Sequence, residues 1–155
     1  LNAHMNGLAD LAMLMLTHNP LDLLILMLGT NDTKERFSAT PQNIADGMDR
    51  LIHEAKQTVA WRSAPAILVV APIIIDARMY DCASVNGEMG RGSAEKSEAI
   101  IPLMQATAMK NNVFFMDCNA CATPNTIDFM HFDAPSHRQF GQAVATKVQE
   151  ILHLK

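Results

Sequence analysis

"LDLLILMLGTNDTKERF", residues 21–37, is an apolar run that stops at Gly29-Thr30-Asn31-Asp32. From Leu21 to Leu28 only Asp22 is polar. A near-continuous apolar run of this length predicts a strand buried on both faces. Gly, Thr, Asn and Asp are ordinary turn residues. Here, however, they place an amide, a hydroxyl and a carboxylate at the tip of a buried element.

The flanking segments alternate with this strand. Residues 8–18 (LADLAMLMLTH) are helix formers, ended by Asn19-Pro20. Thr40-Pro41 reads as an N-cap with proline at the first helical position. Ile44, Met48, Leu51, Ile52, Ala55 and Val59 follow as one apolar stripe. A second buried strand is expected over 66–75 (AILVVAPIII), its ladder ending at Pro72. Residues 76–92 are polar and read as a long loop. A helix over 93–110, interrupted near Pro102, precedes a short strand at 113–116. After a loop over 117–127, the last helix spans 134–153. Asp133 caps it, Pro135 sits in its first turn, and Phe140, Val144, Val148, Ile151 and Leu152 share one face. The order α-β-α-β-α-β-α predicts an α/β domain with a parallel sheet and helices on both faces. With three strands, that sheet leaves a long apolar strand at an open edge.

The bulk numbers narrow the function classes. The chain has 155 residues, 49% hydrophobic and 18% charged, which suits one globular domain with a real core. A net charge of -4, without any basic run or stripe, excludes a dedicated nucleic-acid binder. The longest apolar run is too short to cross a bilayer, so no membrane association is expected. Three cysteines, an odd count, suit reduced thiols and a cytoplasmic setting. Cys118-x-x-Cys121 lacks a second pair or a histidine at ligand spacing, so no metal is expected.

In open parallel sheets, ligands sit at the carboxyl ends of the strands. Three polar groups fall there: the Gly29–Asp32 turn, Asp76, and the stretch from Asp117 to His131. Within the last, Asp128-Phe129-Met130-His131 puts an acid three residues before a histidine. A compact turn of this kind brings the carboxylate to Nδ1, fixes the tautomer and leaves Nε2 free as a base. The Asn31 amide is suited to stabilising a developing oxyanion. Asp32 reads as a turn former that bonds its own backbone. No G-x-S-x-G is present, and no serine follows a buried strand. Of the remaining histidines, His137 reads as a surface residue of the last helix, and His4, His18, His53 and His153 have no partner pattern.

Gly29-Thr30-Asn31-Asp32 resembles the G-x-N-D block of the SGNH (GDSL-type) hydrolases, and Asp128-Phe129-Met130-His131 resembles their terminal D-x-x-H block. The phrases "PLDLLILMLGTNDTKERF" and "MHFDAPSHRQFGQAVATKVQEIL" resemble the arylesterase/acyltransferase branch. The resemblance implies a three-layer, flavodoxin-like parallel sheet and a serine esterase acting on small carboxylic esters. A carbohydrate acetylesterase, or an α/β domain left catalytically incomplete, is the alternative. Asn31, Asp128 and His131 are then the catalytic residues, with Lys34 and Met130 at the substrate. No cofactor is implied. The family's G-D-S block and its second oxyanion loop are not in this sequence, and Phe129 stands where the family has glycine. We therefore expect residues 1–155 to be a single domain comprising the C-terminal two-thirds of a longer one, with N-terminal strands missing. A homo-oligomer, or an N-terminal segment carrying the serine, is the expected partner, and these 155 residues alone would be inactive.

Overall fold

The computed structural model describes residues 6–154; His4 lies outside them. The central strand is β2 (Ile67–Ala71), buried at every position. It pairs in parallel with β1 (Leu24–Leu26) on one side and β3 (Phe114–Asp117) on the other. The pleat sorts its side chains by face. Ile67, Val69 and Ala71 join a core with Leu11, Met15, Ile44, Met48, Ile52, Ile100 and Met104, under helices α1 (Gly7–Thr17), α2 (Pro41–Gln57) and α4 (Ser93–Lys110). Leu68 and Val70 face the other way, toward Ile73, Cys118, Phe132 and Phe140, under α5 (Ala134–Leu152). Helices thus lie on both faces of a parallel sheet, as the alternation predicts.

Local chemistry fixes the helix ends. Thr40 caps α2 in a reciprocal capping box with Asn43. Asp133 accepts from the Ser136 N–H at the start of α5.

The structure corrects four expectations. The run 21–28 forms only a three-residue strand and is not buried on both faces: Ile25 is 40% exposed. It sits at the sheet edge, paired with β2 on one side only. Val59 leaves the α2 stripe and is 88% exposed, because Thr58 turns extended at the C-cap and bonds the Glu54 carbonyl. Pro102 does not interrupt α4. It and Glu98, whose carbonyl loses its partner to the proline, both face solvent, where water can replace that bond. Residues 76–92 are structured: a 3₁₀ turn at Ala77–Asp81 leads into α3 (Ala83–Met89). Met79 and Met89 bury there with Ile75, Ala94 and Met130, which makes this segment a folded flap with its own small core.

Candidate active site

The parallel sheet sends all three strand ends to one edge. After β1 the chain reverses at Gly29, with φ +125°. A Cβ there would come within 2.8 Å of Met104 Cε and 3.3 Å of Ile44 Cγ2, so glycine lets the turn sit against α2 and α4. The turn closes through the Thr33 hydroxyl, which donates to the Thr30 carbonyl at 2.7 Å. Asn31 opens the following 3₁₀ turn, exposed, and among the described residues no hydrogen bond ties down its side-chain amide. Desolvation pushes the Asp32 carboxyl up from its ordinary value, its own backbone N–H opposing.

The turn after β3 carries the acid–histidine pair. Asp128 Oδ2 and His131 Nδ1 are 2.8 Å apart. Burial pushes the Asp128 carboxyl up, but hydrogen bonds from the His131 side chain and from the backbone N–H groups of His131 and Met130 outweigh it and bring it down to about 2. An ionised carboxylate has no proton to give, so Nδ1–H is the donor and Nε2 carries a free lone pair. The acid is 21% exposed and the histidine 66%, so the ring presents Nε2 outward. Among the described residues no hydroxyl bonds this ring.

Asn125 organises the turn. Its Oδ1 accepts from the N–H groups of Ile127 (2.7 Å) and Asp128 (2.9 Å), and its Nδ2 donates to Asp128 Oδ1 (3.0 Å) and the His131 carbonyl (2.9 Å). The sequence reading missed this residue. An asparagine three positions before an acid is a turn signal that gives no sign of which turn it closes.

The flap joins the two turns. Lys34 is buried and its ammonium pairs with Glu88 of α3. That pairing, with further pull from Arg36 and His131, holds the Glu88 carboxyl below its usual range. The Arg91 N–H donates to Glu35 (2.9 Å), and Lys96 reaches the Thr33 carbonyl (3.3 Å). On the other side, the Asp76 N–H donates to the Phe129 carbonyl at 2.9 Å, and Met130 is buried in the flap's core. Lys34 and Met130 are therefore the residues through which the flap holds the two turns. Asn31 and His131 share no direct contact.

The cysteines are free, and burial, reinforced by Asp117 and Cys121, pushes the Cys118 thiol up to about 12. At that value it is a packing group, not a nucleophile or ligand. Among the described residues no cluster of potential metal ligands forms, and no helix is long and apolar enough to cross a membrane.

No protein-family profile matches the sequence, and no curated protein does. Solved structures do. A carbohydrate acetylesterase from Sinorhizobium meliloti is 35% identical over 96% of this chain and 70% of its own, with a TM-score of 0.85. The native aryl esterase of M. smegmatis is 30% identical over 97% of this chain and 70% of its own, with a TM-score of 0.84. An acetylxylan esterase from Geobacillus stearothermophilus, at 15% identity and a TM-score of 0.63 over 99% of this chain and 69% of its own, shares the fold.

Proposed function

The chain belongs to the SGNH family of ester hydrolases, and on that premise we propose that it supplies the base, its orienting acid and an oxyanion donor for acyl transfer from small carboxylic esters. The observation that carries this reading is the 2.8 Å Asp128–His131 bond, which leaves Nε2 free at an exposed strand-end turn.

In the proposed mechanism a serine that none of these 155 residues supplies attacks the ester carbonyl. His131 Nε2 takes the hydroxyl proton and then gives it to the leaving alcohol. Asp128 holds the ring in the Nδ1–H tautomer and stabilises the imidazolium. The untethered Asn31 amide donates to the tetrahedral oxyanion. Water, or a second alcohol, then releases the acyl group. Met130, buried in the flap's core, seats the turn that carries the base, and the Lys34–Glu88 pair ties the Asn31 turn to the same flap.

Acetyl groups on sugars are a second substrate class, supported by the 35% identity to the S. meliloti carbohydrate acetylesterase. A complete enzyme carrying these residues separates the two: kcat/KM is compared on aryl acetates and on acetylated sugars. In the same enzyme Asn31→Ala should lower kcat by about 10²–10³, the usual loss for one oxyanion donor. An unchanged kcat would remove Asn31 from the oxyanion hole.

A further inference from the structure

Phe129 lies between the acid and the base, and its backbone is left-handed, φ +63°. A side chain there crowds the neighbouring carbonyl, so a phenylalanine does not adopt this geometry unaided as glycine does. Three contacts hold it. Its carbonyl accepts from the Asp76 N–H at 2.9 Å. Its ring lies under the Arg78 guanidinium, with Cζ 4.7 Å from the centroid. It also packs with Tyr80 and Val85 onto the flap's buried methionines.

Arg78 is itself fixed. Its Nε donates to Asp76 Oδ1 at 3.0 Å and its Nη2 to Asp76 Oδ2 at 2.6 Å, a forked pair that sets the plane of the guanidinium. The backbone before Asp76 is pinned on both sides: the Ile74 N–H donates to Asn119 Oδ1 (2.8 Å) and the Ile75 N–H to Ser97 Oγ (2.9 Å). A continuous set of bonds thus runs from the end of the central strand to the residue between acid and base.

We propose that Asp76, Arg78 and Phe129 are positioning residues, and that the Arg78–Phe129 stack, anchored on Asp76, holds the turn in which Asp128 and His131 meet. The inference rests on reading His131 as the base. Rotation about the Phe129 backbone swings the imidazole relative to the carboxylate. A glycine at 129 would keep the geometry without help; a phenylalanine keeps it only while the stack is made. The flap is thereby coupled to the base, and loosening residues 76–92 frees the imidazole.

The test reads the pair itself, not turnover. In the 155-residue chain labelled with nitrogen-15 in histidine, the downfield Nδ1–H proton of His131 and its two-bond nitrogen correlations report which nitrogen carries hydrogen. Arg78→Ala, at a side chain that is 65% exposed, should abolish the Nδ1–H resonance. Phe129→Tyr, which keeps the ring, should retain it, and Phe129→Leu should lose it. In a Phe129→Gly background Arg78→Ala should have no further effect. An unchanged Nδ1–H signal in Arg78→Ala overturns the proposal. So does the same loss in both backgrounds, or a wild-type chain without the signal. Failure of the esterase reading would appear separately, as a complete enzyme that does not hydrolyse esters while the Nδ1–H pattern stands.

Discussion

Asp128→Asn removes one charge and leaves the turn's backbone acceptor in place. The asparagine Oδ1 can still accept from the Met130 and His131 N–H groups, each at 3.0 Å in the native turn. Its NH₂ group, however, faces His131 Nδ1, which must then accept, forcing the proton onto Nε2. The native carboxyl lies at about 2 against an ordinary 3.8, an upper bound of about 2.5 kcal/mol at neutral pH. Solvent reaches both partners, and screening brings the realised contribution to about 1 kcal/mol. The folded value is the depressed one, so this stabilisation is fully present above about pH 4 and lost as pH falls through about 2. About half should be gone at pH 3 and most of it at pH 2. Chemical denaturation of wild type and variant from pH 6 to pH 2 should show a stability difference that narrows over that window. In a complete enzyme the same change should lower kcat by about 10²–10⁴, through the wrong tautomer. A pH-independent stability difference, together with near-wild-type ester hydrolysis, would reduce Asp128 to a turn residue and refute the argument.

Three further outcomes follow. A serine-directed phosphonate should leave the 155-residue chain without stoichiometric label, because Ser93 and Ser136 are buried and no described hydroxyl bonds His131; peptide mapping that finds the label on Ser38, Ser93 or Ser136 would place the nucleophile within this chain. Gly29→Ala should destabilise the fold by about 1–3 kcal/mol in denaturant titrations, chiefly because a side chain rarely adopts its φ of +125°; a loss below about 0.5 kcal/mol would show that the turn relaxes to another backbone conformation. Asn125→Ala should speed hydrogen exchange at the Ile127 and Asp128 amides, its two carbonyl-bound N–H groups, by an opening free energy of about 1–3 kcal/mol with little change in global unfolding; unchanged protection would assign the turn's rigidity to other contacts.

The sequence by itself determined the alternation of elements, the central strand and the two motif turns. Apolar runs of strand length, the Thr40-Pro41 and Asp133 caps and the proline stops act over a few residues, so they are readable without knowing what lies nearby. The same holds for Asp128 and His131, whose i,i+3 spacing makes their bond a local event. Contacts between distant segments were decided only in three dimensions. The run 21–28 reads as a strand at an open edge, but nothing in it says that Ile25 meets solvent; that depends on what packs over the edge. Nothing in residues 76–92 says that a polar, glycine-bearing stretch folds, because its small core is completed by Met130 and Ala94 from elsewhere. Lys34 is expected at the substrate, and nothing in the sequence pairs it with Glu88, 54 residues away. The left-handed Phe129 makes sense only with Arg78 above it and the Asp76 N–H on its carbonyl. Short-range preferences set the pieces of this molecule, and packing across the strand ends set which of them meet.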